Sequence, residues 1–213
     1  MSWPIQRVDL GVVDYEQAAQ DMQIWVAQRR GGLAGDRLFL LSHPPVITYG
    51  PRTSLADLPV EATAIPTVPV DRGGYATYHG PGQLVGYLVI NIRDRGVADI
   101  VRWLEHGLTE GLAQLGFTTV RRDTPKGSPS LVGVWTPDHR KLCSIGMRIR
   151  GGVTSHGFAI NINPEITAFH QFTACGLRDV TMTSLREIAE EQGTPVPTDG
   201  QVRDAVSAAL GAS

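Results

Sequence analysis

Hydrophobic residues recur at helical spacing in two long segments of the chain. The first segment runs from about residue 15 to 30, behind a capping box of Asp14 with Gln17, and the second runs from about Val97 to Leu115. Two more capping boxes open two short C-terminal helices, and they pair Ser184 with Glu187 and Thr198 with Gln201. The pattern therefore predicts four helices.

Between the helices, short segments rich in β-branched and aromatic residues predict strands. They are RLFLLS, TVPVD, LVGYLVINI, FTTVRR, LVGVWT, KLCSIGMRIR and GFAINI. Four of them lie between Phe117 and Ile162 without an intervening helix, so this part of the sheet is expected to be antiparallel. The loop from Gly50 to Pro66 is the one long irregular segment that the sequence indicates. The predicted fold class is α/β, with a mixed, partly antiparallel sheet flanked by helices.

Composition narrows the classes of function. With 213 residues, 42% of them hydrophobic, the chain is expected to form a single domain over residues 1–213. A formal net charge of -2 without blocks of like charge argues against a nucleic-acid partner, which requires a basic footprint. No stretch is apolar enough to span a bilayer and the N-terminus does not resemble a signal peptide, so we expect no membrane association and a cytoplasmic location.

Several common kinds of site are not indicated. The two cysteines, Cys143 and Cys175, are too few for a disulfide framework and are expected to be free thiols. The histidines do not have metal-ligand spacing, and no GxSxG motif marks a serine nucleophile. The sequence therefore predicts neither a metal site nor a cofactor.

A lysine in the strand from Arg140 to Arg150 is the first candidate for chemistry. Strict alternation places Lys141 on the apolar face with Cys143, and Arg148 with Arg150 on the opposite face. A buried ammonium requires a compensating anion or a shifted pKa, which indicates a partner or a titrating role for Lys141. The alternative is that Lys141, as the first residue of its strand, extends to water.

Cys175 is the second candidate. It lies in the segment FHQFTACGLRDVTMTSL, after the last predicted strand, and Gly176 beside it leaves room for a substrate carbonyl. A cation that lowers the pKa of a thiol by one or two units raises the thiolate population severalfold, and Lys141 is the candidate for that cation. The alternatives are that Cys175 is a small buried hydrophobe, or that Cys143 is the nucleophile although it points toward the core.

A glycine-rich segment, RGGYATYHGPGQLVGYLVINI, is suited to holding a ligand against exposed backbone. Gly73-Gly74 leave a strand edge without side chains, and Gly80-Pro81-Gly82 form a tight turn after His79. The segment is neither GxGxxG nor a P-loop, so it predicts no nucleotide phosphate site. His79 and His156, each followed by glycine, are candidates to line the same pocket, although a single histidine is more often a structural residue.

Four segments, in order from about Leu38 to Leu185, resemble the lipoate-protein octanoyltransferases, also called lipoyl(octanoyl) transferases: HPPVITYG, DRGGYATYHGPGQLVGY, KLCSIGMRIRGGVTSHGFAINI and ACG. The RGGxxTYHGPGQ string and the lysine-to-cysteine spacing are the most specific parts of the match. The resemblance implies the fold of the biotin and lipoate protein ligase catalytic domains. Ala174 stands where members of the family usually have proline, a difference that does not involve the reacting groups.

The resemblance also implies an activity and its partners. An octanoyl group would pass from octanoyl-acyl carrier protein to a lysine of apo lipoyl domains, in 2-oxoacid dehydrogenase complexes and in the glycine cleavage H protein. The family's acyl-carrying cysteine matches Cys175, and the lysine that lowers its pKa matches Lys141. The family's acyl pocket matches Arg72, Gly73, Gly74, Tyr75, Ala76, Thr77, Tyr78, His79, Ser144, Ile145, Gly146, Gly157, Phe158 and Ala159, with His156 expected behind them.

Two other functions stay open on the sequence alone. One is an ATP-dependent lipoate or biotin ligase of the same fold, and the other is a non-catalytic acyl-binding module. Backbone N–H groups near Gly176 or in Gly73-Gly74 are candidates for an oxyanion hole. Arg148 and Arg150 are candidates for docking an acidic acyl carrier protein, and an ordinary solvated strand face is the alternative.

Overall fold

The computed structural model describes residues 4–59, 64–92, 95–177 and 179–213. Its strands are β1 (Ile5–Val12), β2 (Asp36–Ser42), β3 (Val46–Tyr49), β4 (Thr67–Pro69), β5 (Thr77–His79), β6 (Gln83–Val89), β7 (Gly133–Trp135), β8 (Lys141–Arg150) and β9 (Val153–Asn161). Its α-helices are α1 (Tyr15–Arg30), α2 (Val97–Gln114), α3 (Leu185–Gln192) and α4 (Asp199–Ala209). Short 3₁₀ helices span Leu55–Asp57, Ile166–Gln171 and Ala174–Gly176.

The strands form two sheets. Within the described ranges, the larger sheet has the order β1-β2-β6-β9-β8-β7 and the smaller sheet has the order β4-β3-β5. The pairs β1-β2 and β3-β4 are parallel, and the other neighbours are antiparallel. The predicted α/β fold with a mixed sheet is therefore confirmed, whereas the separate small sheet was not expected.

Helices cover both faces of the larger sheet. On one face, Ala18 and Met22 of α1 pack against residues of β2, β6 and β9. On the other face, α2, α3 and α4 bury leucine, isoleucine and valine side chains against the same strands. The cleft described below lies on the face that α1 covers, so α1 is one of its walls.

The predicted helices are confirmed, with one correction at a cap. The boxes at Ser184 and Thr198 form as expected. The Asp14 side chain instead accepts the N–H of Glu16, and Gln17 donates to Asp21, so Asp14 caps α1 without a capping box. Among the described helices, none combines the length and the apolar character that a membrane crossing requires.

The strand predictions were less complete. The segment FTTVRR is not a strand: only Val120 bridges to Trp135, because β7 is three residues long and its outer edge offers few backbone partners. The strands β1, β3 and β5 were not predicted; β3 and β5 are short and depend on each other for hydrogen bonds. The region 118–132 is thus a second long irregular segment, in addition to the predicted loop from Gly50 to Pro66. Residues 60–63 of that loop lie outside the described ranges.

A β-bulge in β8 decides where Lys141 points. Val134 of β7 pairs with Cys143, and the next residue, Trp135, pairs with Lys141, so Leu142 and Cys143 together oppose one residue. Leu142 and Cys143 both pack into the core. Lys141 consequently lies on the opposite face, in the cleft. The prediction that Lys141 shares a face with Cys143 is wrong, because the bulge adds one residue to the two-residue period.

Candidate active site

The floor of the cleft is the centre of the larger sheet. One row of the floor crosses Val85, Ala159 and Ser144, and the next row crosses Tyr87, Gly157 and Gly146. The glycine pair removes side chains from the middle of the floor. The floor is therefore a shallow slot along β8 and β9.

The backbone at Gly73 crosses over this slot. Gly73 donates its N–H to the Met147 carbonyl at 3.0 Å. A Cβ added to Gly146 would lie 2.8 Å from the Gly73 carbonyl oxygen, and a Cβ added to Gly157 would lie 2.2 Å from that of Gly86. Since neighbouring backbone cannot rotate away as a side chain can, the close approach requires glycine at both positions.

Cys175 lies at one end of the floor. It adopts a left-handed backbone conformation (φ 57°) inside the 3₁₀ helix Ala174–Gly176, and its N–H donates to the Ala76 carbonyl at 2.9 Å. Its Sγ is half-buried and lies 3.5 Å from Ser144 Oγ. The strained turn and this backbone bond direct the thiol into the cleft.

Lys141 lines the same end of the cleft and is only 2% exposed. Its N–H donates to Thr181, and its carbonyl accepts from Thr183, at 2.8 and 3.0 Å. The Nζ donates to the Val132 carbonyl at 3.1 Å and lies 5.0 Å from the centre of the Trp135 ring. The structure thus brings Lys141 and Cys175 into one cleft, where the lysine Nζ donates to Val132 and the thiol contacts Ser144.

Three of the backbone donors considered for an oxyanion hole are already engaged. The N–H groups of Cys175 and Gly176 donate to the carbonyls of Ala76 and Thr173, and that of Gly73 donates to Met147. Those candidates are therefore not free. The hydroxyl of Ser144, beside the thiol, is a donor within reach of the same position.

Arg72 places a buried cation along the cleft. Its Nη1 donates to the carbonyls of Gly73 and Tyr75, at 3.0 and 2.9 Å, and its Nη2 donates to the carbonyl and hydroxyl of Thr48, at 3.0 and 2.9 Å. Four acceptors hold the guanidinium in one orientation. Arg72 thereby fixes the backbone that crosses the slot.

A buried hydrogen-bond chain assigns the tautomer of His79. The Nε2 of Gln83 donates to the Tyr78 carbonyl and to Asn161, so its Oε1 is left to accept from His79 Nδ1 at 2.7 Å. The Nε2 of His79 then accepts the hydroxyl of Thr48 at 3.3 Å. Burial and the nearby His43 lower the pKa of His79 to about 3, so this imidazole is neutral.

The rings of Tyr15, His79 and Tyr87 line the cleft, and the ring of His43 packs against all three. His43 donates through Nδ1 to the Val13 carbonyl and accepts the Tyr87 hydroxyl at Nε2, both at 2.7 Å. Burial raises the pKa of Tyr15 to about 12, and its ring stacks on that of His79 at 6.2 Å. Burial also lowers the pKa of His43. Neither these phenols nor these imidazoles carry charge near neutral pH.

His156 stands at the boundary between the cleft and an adjacent surface groove, and it lines both. It has a left-handed backbone (φ 60°), and its Nε2 lies 3.2 Å from Asp71 Oδ1. Burial and the cations Arg72 and Arg148 lower the pKa of His156 to about 3, so Nε2 carries a hydrogen and donates to the carboxylate. The nearby Asp71 carboxylate does little to stabilise a charged His156, because Asp71 is largely exposed and is already paired with Arg148. His156 is therefore neutral.

The two arginines considered for docking differ in availability. Arg148 forms an ion pair with Asp71. Arg150 is exposed, and its carbonyl accepts from Arg30 at 2.9 Å. Because of the bulge, both lie on the same side of the sheet as Lys141, which corrects the prediction that they lie opposite it.

Most residues expected in the pocket line the cleft. These are Arg72, Gly74, Tyr75, Ala76, Thr77, His79, Ser144, Ile145, Gly146, His156, Gly157, Phe158 and Ala159, with Lys141 and Cys175. Tyr78 instead packs against Phe169 in a separate apolar cluster, as alternation along β5 requires. Sequence reasoning missed Tyr15, Val85, Tyr87, Ser130 and Val132. Tyr15 is a buried residue at the start of α1, and no local feature of the sequence indicates which strands that helix covers.

Within residues 4–59, 64–92, 95–177 and 179–213, no group of three or more histidine, cysteine, aspartate or glutamate side chains is placed to hold an ion. The chemistry available in the cleft is that of a thiol, a buried lysine and hydrogen-bond donors. These are groups that covalent acyl transfer uses.

Solved structures share this fold. Lipoate-protein ligase A bound with ATP superposes with a TM-score of 0.71 at 14% identity, covering 100% of this chain and 87% of that chain. The biotin protein ligase from Leishmania major in complex with biotinyl-5-AMP gives a TM-score of 0.54 at 12% identity, covering 98% and 73%. The predicted likeness to biotin and lipoate ligase domains is confirmed at the level of fold.

Sequence comparison gives the closer relationship. The octanoyltransferase of Frankia casuarinae is 42% identical over 193 residues, which cover 90% of this chain and 87% of the relative. The octanoyltransferase of Pseudomonas syringae pv. tomato is 41% identical over 184 residues, which cover 85% and 80%. The family model described as the lipoyl protein ligase A/B catalytic domain matches residues 14–211. This chain therefore belongs to the lipoyl protein ligase A/B catalytic-domain family and is similar to its octanoyltransferases.

Proposed function

We propose that this chain is an octanoyltransferase of protein lipoylation that carries its acyl group as a thioester on Cys175. The donor is octanoyl-acyl carrier protein. The acceptor is a lysine of apo lipoyl domains, in 2-oxoacid dehydrogenase complexes and in the glycine cleavage H protein. The observation that carries the proposal is a thiol at the end of a glycine-floored cleft that also holds a buried lysine. A single catalytic domain over residues 1–213 and a cytoplasmic location remain predictions.

The reaction has two steps. The Cys175 thiolate attacks the carbonyl carbon of the donor thioester; a new C–S bond forms, the old one breaks, and the carrier thiolate leaves. Lys141 in its ammonium form favours the attacking thiolate and gives a proton to the leaving one. The acceptor amine then attacks the acyl-enzyme and passes its proton to Lys141, and Cys175 is released as thiolate.

Ser144 is placed to assist both steps. Negative charge develops on the carbonyl oxygen in each tetrahedral intermediate, close to the sulfur that bears the acyl group. The Ser144 hydroxyl lies 3.5 Å from that sulfur, and the neighbouring backbone donors of Cys175 and Gly176 are engaged elsewhere. We therefore propose Ser144 as one donor to this oxyanion.

The length of the floor suits an eight-carbon chain. Strands rise about 3.3 Å per residue, so along β8 Gly146 lies about 7 Å and Arg148 about 13 Å beyond Ser144. An extended octanoyl group measures about 9 Å, given C–C bonds of about 1.5 Å. An acyl group on Cys175 would thus pass the glycine pair and end before the ion pair of Arg148 with Asp71.

Intact mass spectrometry tests the covalent intermediate. The native chain, Cys175→Ser and Cys143→Ser are each mixed with octanoyl-acyl carrier protein. Cys143 is the matched control, since it is buried and burial raises the pKa of its thiol to about 12. We expect an octanoyl adduct on the native chain and on Cys143→Ser only. An adduct that survives in Cys175→Ser would contradict the proposed nucleophile.

The acceptor step separates this function from its rivals. The purified acyl-enzyme is mixed with an apo lipoyl domain in the absence of ATP. Octanoylation of the domain lysine, with loss of the enzyme adduct, is expected. A requirement for ATP would favour the ligase alternative, and an unmodified domain with noncovalently bound fatty acid would favour the binding module.

A further inference from the structure

Lys141 is buried, and its side chain donates a hydrogen bond to a neutral acceptor. No aspartate or glutamate within the described ranges forms an ion pair with its Nζ, whose hydrogen bond goes to the neutral carbonyl of Val132 at 3.1 Å. A buried ammonium is unfavourable unless negative charge compensates it. The position of that charge therefore bears on whether Lys141 is an ammonium at all.

One peptide group connects Lys141 to Glu105. The carbonyl of Val132 that accepts from Lys141 belongs to the same peptide as the N–H of Gly133, which donates to Glu105 Oε1 at 3.0 Å. In a trans peptide the C=O and N–H point in opposite directions, so carboxylate, peptide and ammonium follow one another in a chain. Each bond in such a chain polarises the next in a buried setting.

The surroundings hold this peptide in place. Gly133 has φ 140°, and a Cβ there would lie 2.4 Å from the Cys143 carbonyl oxygen and 3.0 Å from Lys141 Cε. Glu105 lies on the buried side of α2 and is 2% exposed. Its second oxygen accepts Arg121 Nε at 3.3 Å, and Arg121 in turn binds Asp123. Both carboxyl oxygens of Glu105 are thus hydrogen-bonded, one to the Gly133 N–H and the other to the guanidinium of Arg121.

We propose that Glu105 is a positioning residue that keeps Lys141 protonated and aimed into the cleft, and thereby favours the Cys175 thiolate. This inference rests on the proposed acyl-cysteine function. The other charged or titratable groups around this chain of bonds are Arg121, next to Glu105, the buried Cys143 thiol on β8, and Arg122, whose guanidinium lies 4.8 Å from the centre of the Trp135 ring. Arg72 is a second cation of the cleft, and its charge interacts with Cys175. The Trp135 ring faces the ammonium from β7.

The sign of the effect follows from where the shared proton resides. When Cys175 and Lys141 hold one proton between them, the Glu105 charge favours thiolate with ammonium over thiol with neutral amine, because it is linked to the lysine. Without that charge the proton moves toward sulfur. The thiolate then accumulates only at higher pH, when the pair of Cys175 and Lys141 loses its remaining proton.

Glu105→Gln tests the inference, because its amide oxygen can still accept from Gly133 while the charge is gone. The readouts are thiolate absorbance and the rate of iodoacetamide alkylation of Cys175, assigned by peptide mass spectrometry, as a function of pH. We expect the thiolate signal at pH 7 to fall by about threefold or more and to recover at higher pH. Glu110→Gln, the same change at an exposed position of α2, is the control and should leave both readouts unchanged.

A second background excludes a merely structural effect. In Lys141→Met, Glu105→Gln should no longer lower the thiolate signal, since its effect passes through the lysine. A native pH profile in Glu105→Gln, or an equal loss with and without Lys141, would overturn the inference. If Glu105→Gln does not fold, Glu105→Asp replaces it: the shorter side chain keeps the charge but moves it away from the Gly133 N–H. A smaller fall in the thiolate signal, again only when Lys141 is present, is expected, and an unchanged signal would overturn the inference. Absence of an octanoyl adduct on the native chain would refute the proposed function instead, independently of these thiolate readouts.

Discussion

Acidification is expected to destabilise the fold through two buried neutral histidines. The pKa of His156 is lowered to about 3 by burial and by Arg72 and Arg148, and that of His79 is lowered to about 3 by burial and by His43. In the unfolded chain each takes up a proton near its ordinary pKa of 6.5. The unfolded state therefore binds more protons between pH 6.5 and about 3, and the free energy of unfolding decreases as the pH falls through this window.

The expected magnitude is large relative to the stability of a domain. At pH 5, which is 1.5 units below the ordinary histidine pKa, each histidine lowers the free energy of unfolding by ~2 kcal/mol, and the two together lower it by ~4 kcal/mol. Domains of this kind are stable by about 5–15 kcal/mol. Hydrogen bonds from Thr167 lower the pKa of Glu165. Carboxylates of this kind reduce the free energy of unfolding only when the pH falls below the ordinary pKa of a carboxyl group, which is more acidic than the range considered for the histidines.

Urea unfolding at pH 8, 7, 6 and 5 measures the effect. His156→Asn is the informative variant, because asparagine tolerates the left-handed backbone at this position. It should be less stable than the native chain at pH 8, but should lose ~2 kcal/mol less between pH 8 and pH 5. His106→Asn, an exposed change on α2, should follow the native curve. Equal losses in the native chain and His156→Asn would refute the reasoning.

Other expected outcomes concern the cleft. Lys141→Met should slow acyl-enzyme formation at neutral pH by tenfold or more and shift the pH dependence of the rate to higher pH. Mass spectrometry of the octanoyl adduct in quenched reactions measures this rate, and an unchanged pH profile would exclude the role of Lys141 as charge partner. Ser144→Ala should slow both acylation and transfer by about tenfold, whereas an effect on binding alone would exclude it as an oxyanion donor. Gly146→Val should prevent adduct formation while the chain stays folded by circular dichroism, since a Cβ there meets Gly73 at 2.8 Å, and retained activity would contradict the floor described here. Arg150→Glu should raise KM for octanoyl-acyl carrier protein but not for a small octanoyl thioester, and equal effects on both would exclude docking.

Local sequence signals were sufficient for the helices and for the identity of the reacting groups. Helix positions depend on a 3.6-residue period and on caps within three residues, so α1, α2, α3 and α4 were predictable from short windows. Cys175 and Lys141 stood out through their surrounding motifs, and both line the cleft. Strands were harder to predict than helices because each strand needs a partner that is distant in sequence. For this reason FTTVRR was predicted as a strand but is not one, and β3 and β5 were not predicted.

The geometry that makes these residues useful arises only from tertiary contacts. The bulge that turns Lys141 into the cleft exists because β7 and β8 pair out of step, and no feature of the sequence KLC reveals it. Glu105 meets the peptide of Gly133 across 28 positions of sequence, and Asp71 meets His156 across 85. The sequence by itself determined the helices, the fold class and the chemical inventory. Which face each side chain occupies, and which charges meet in the core, depended on long-range pairing of backbone segments.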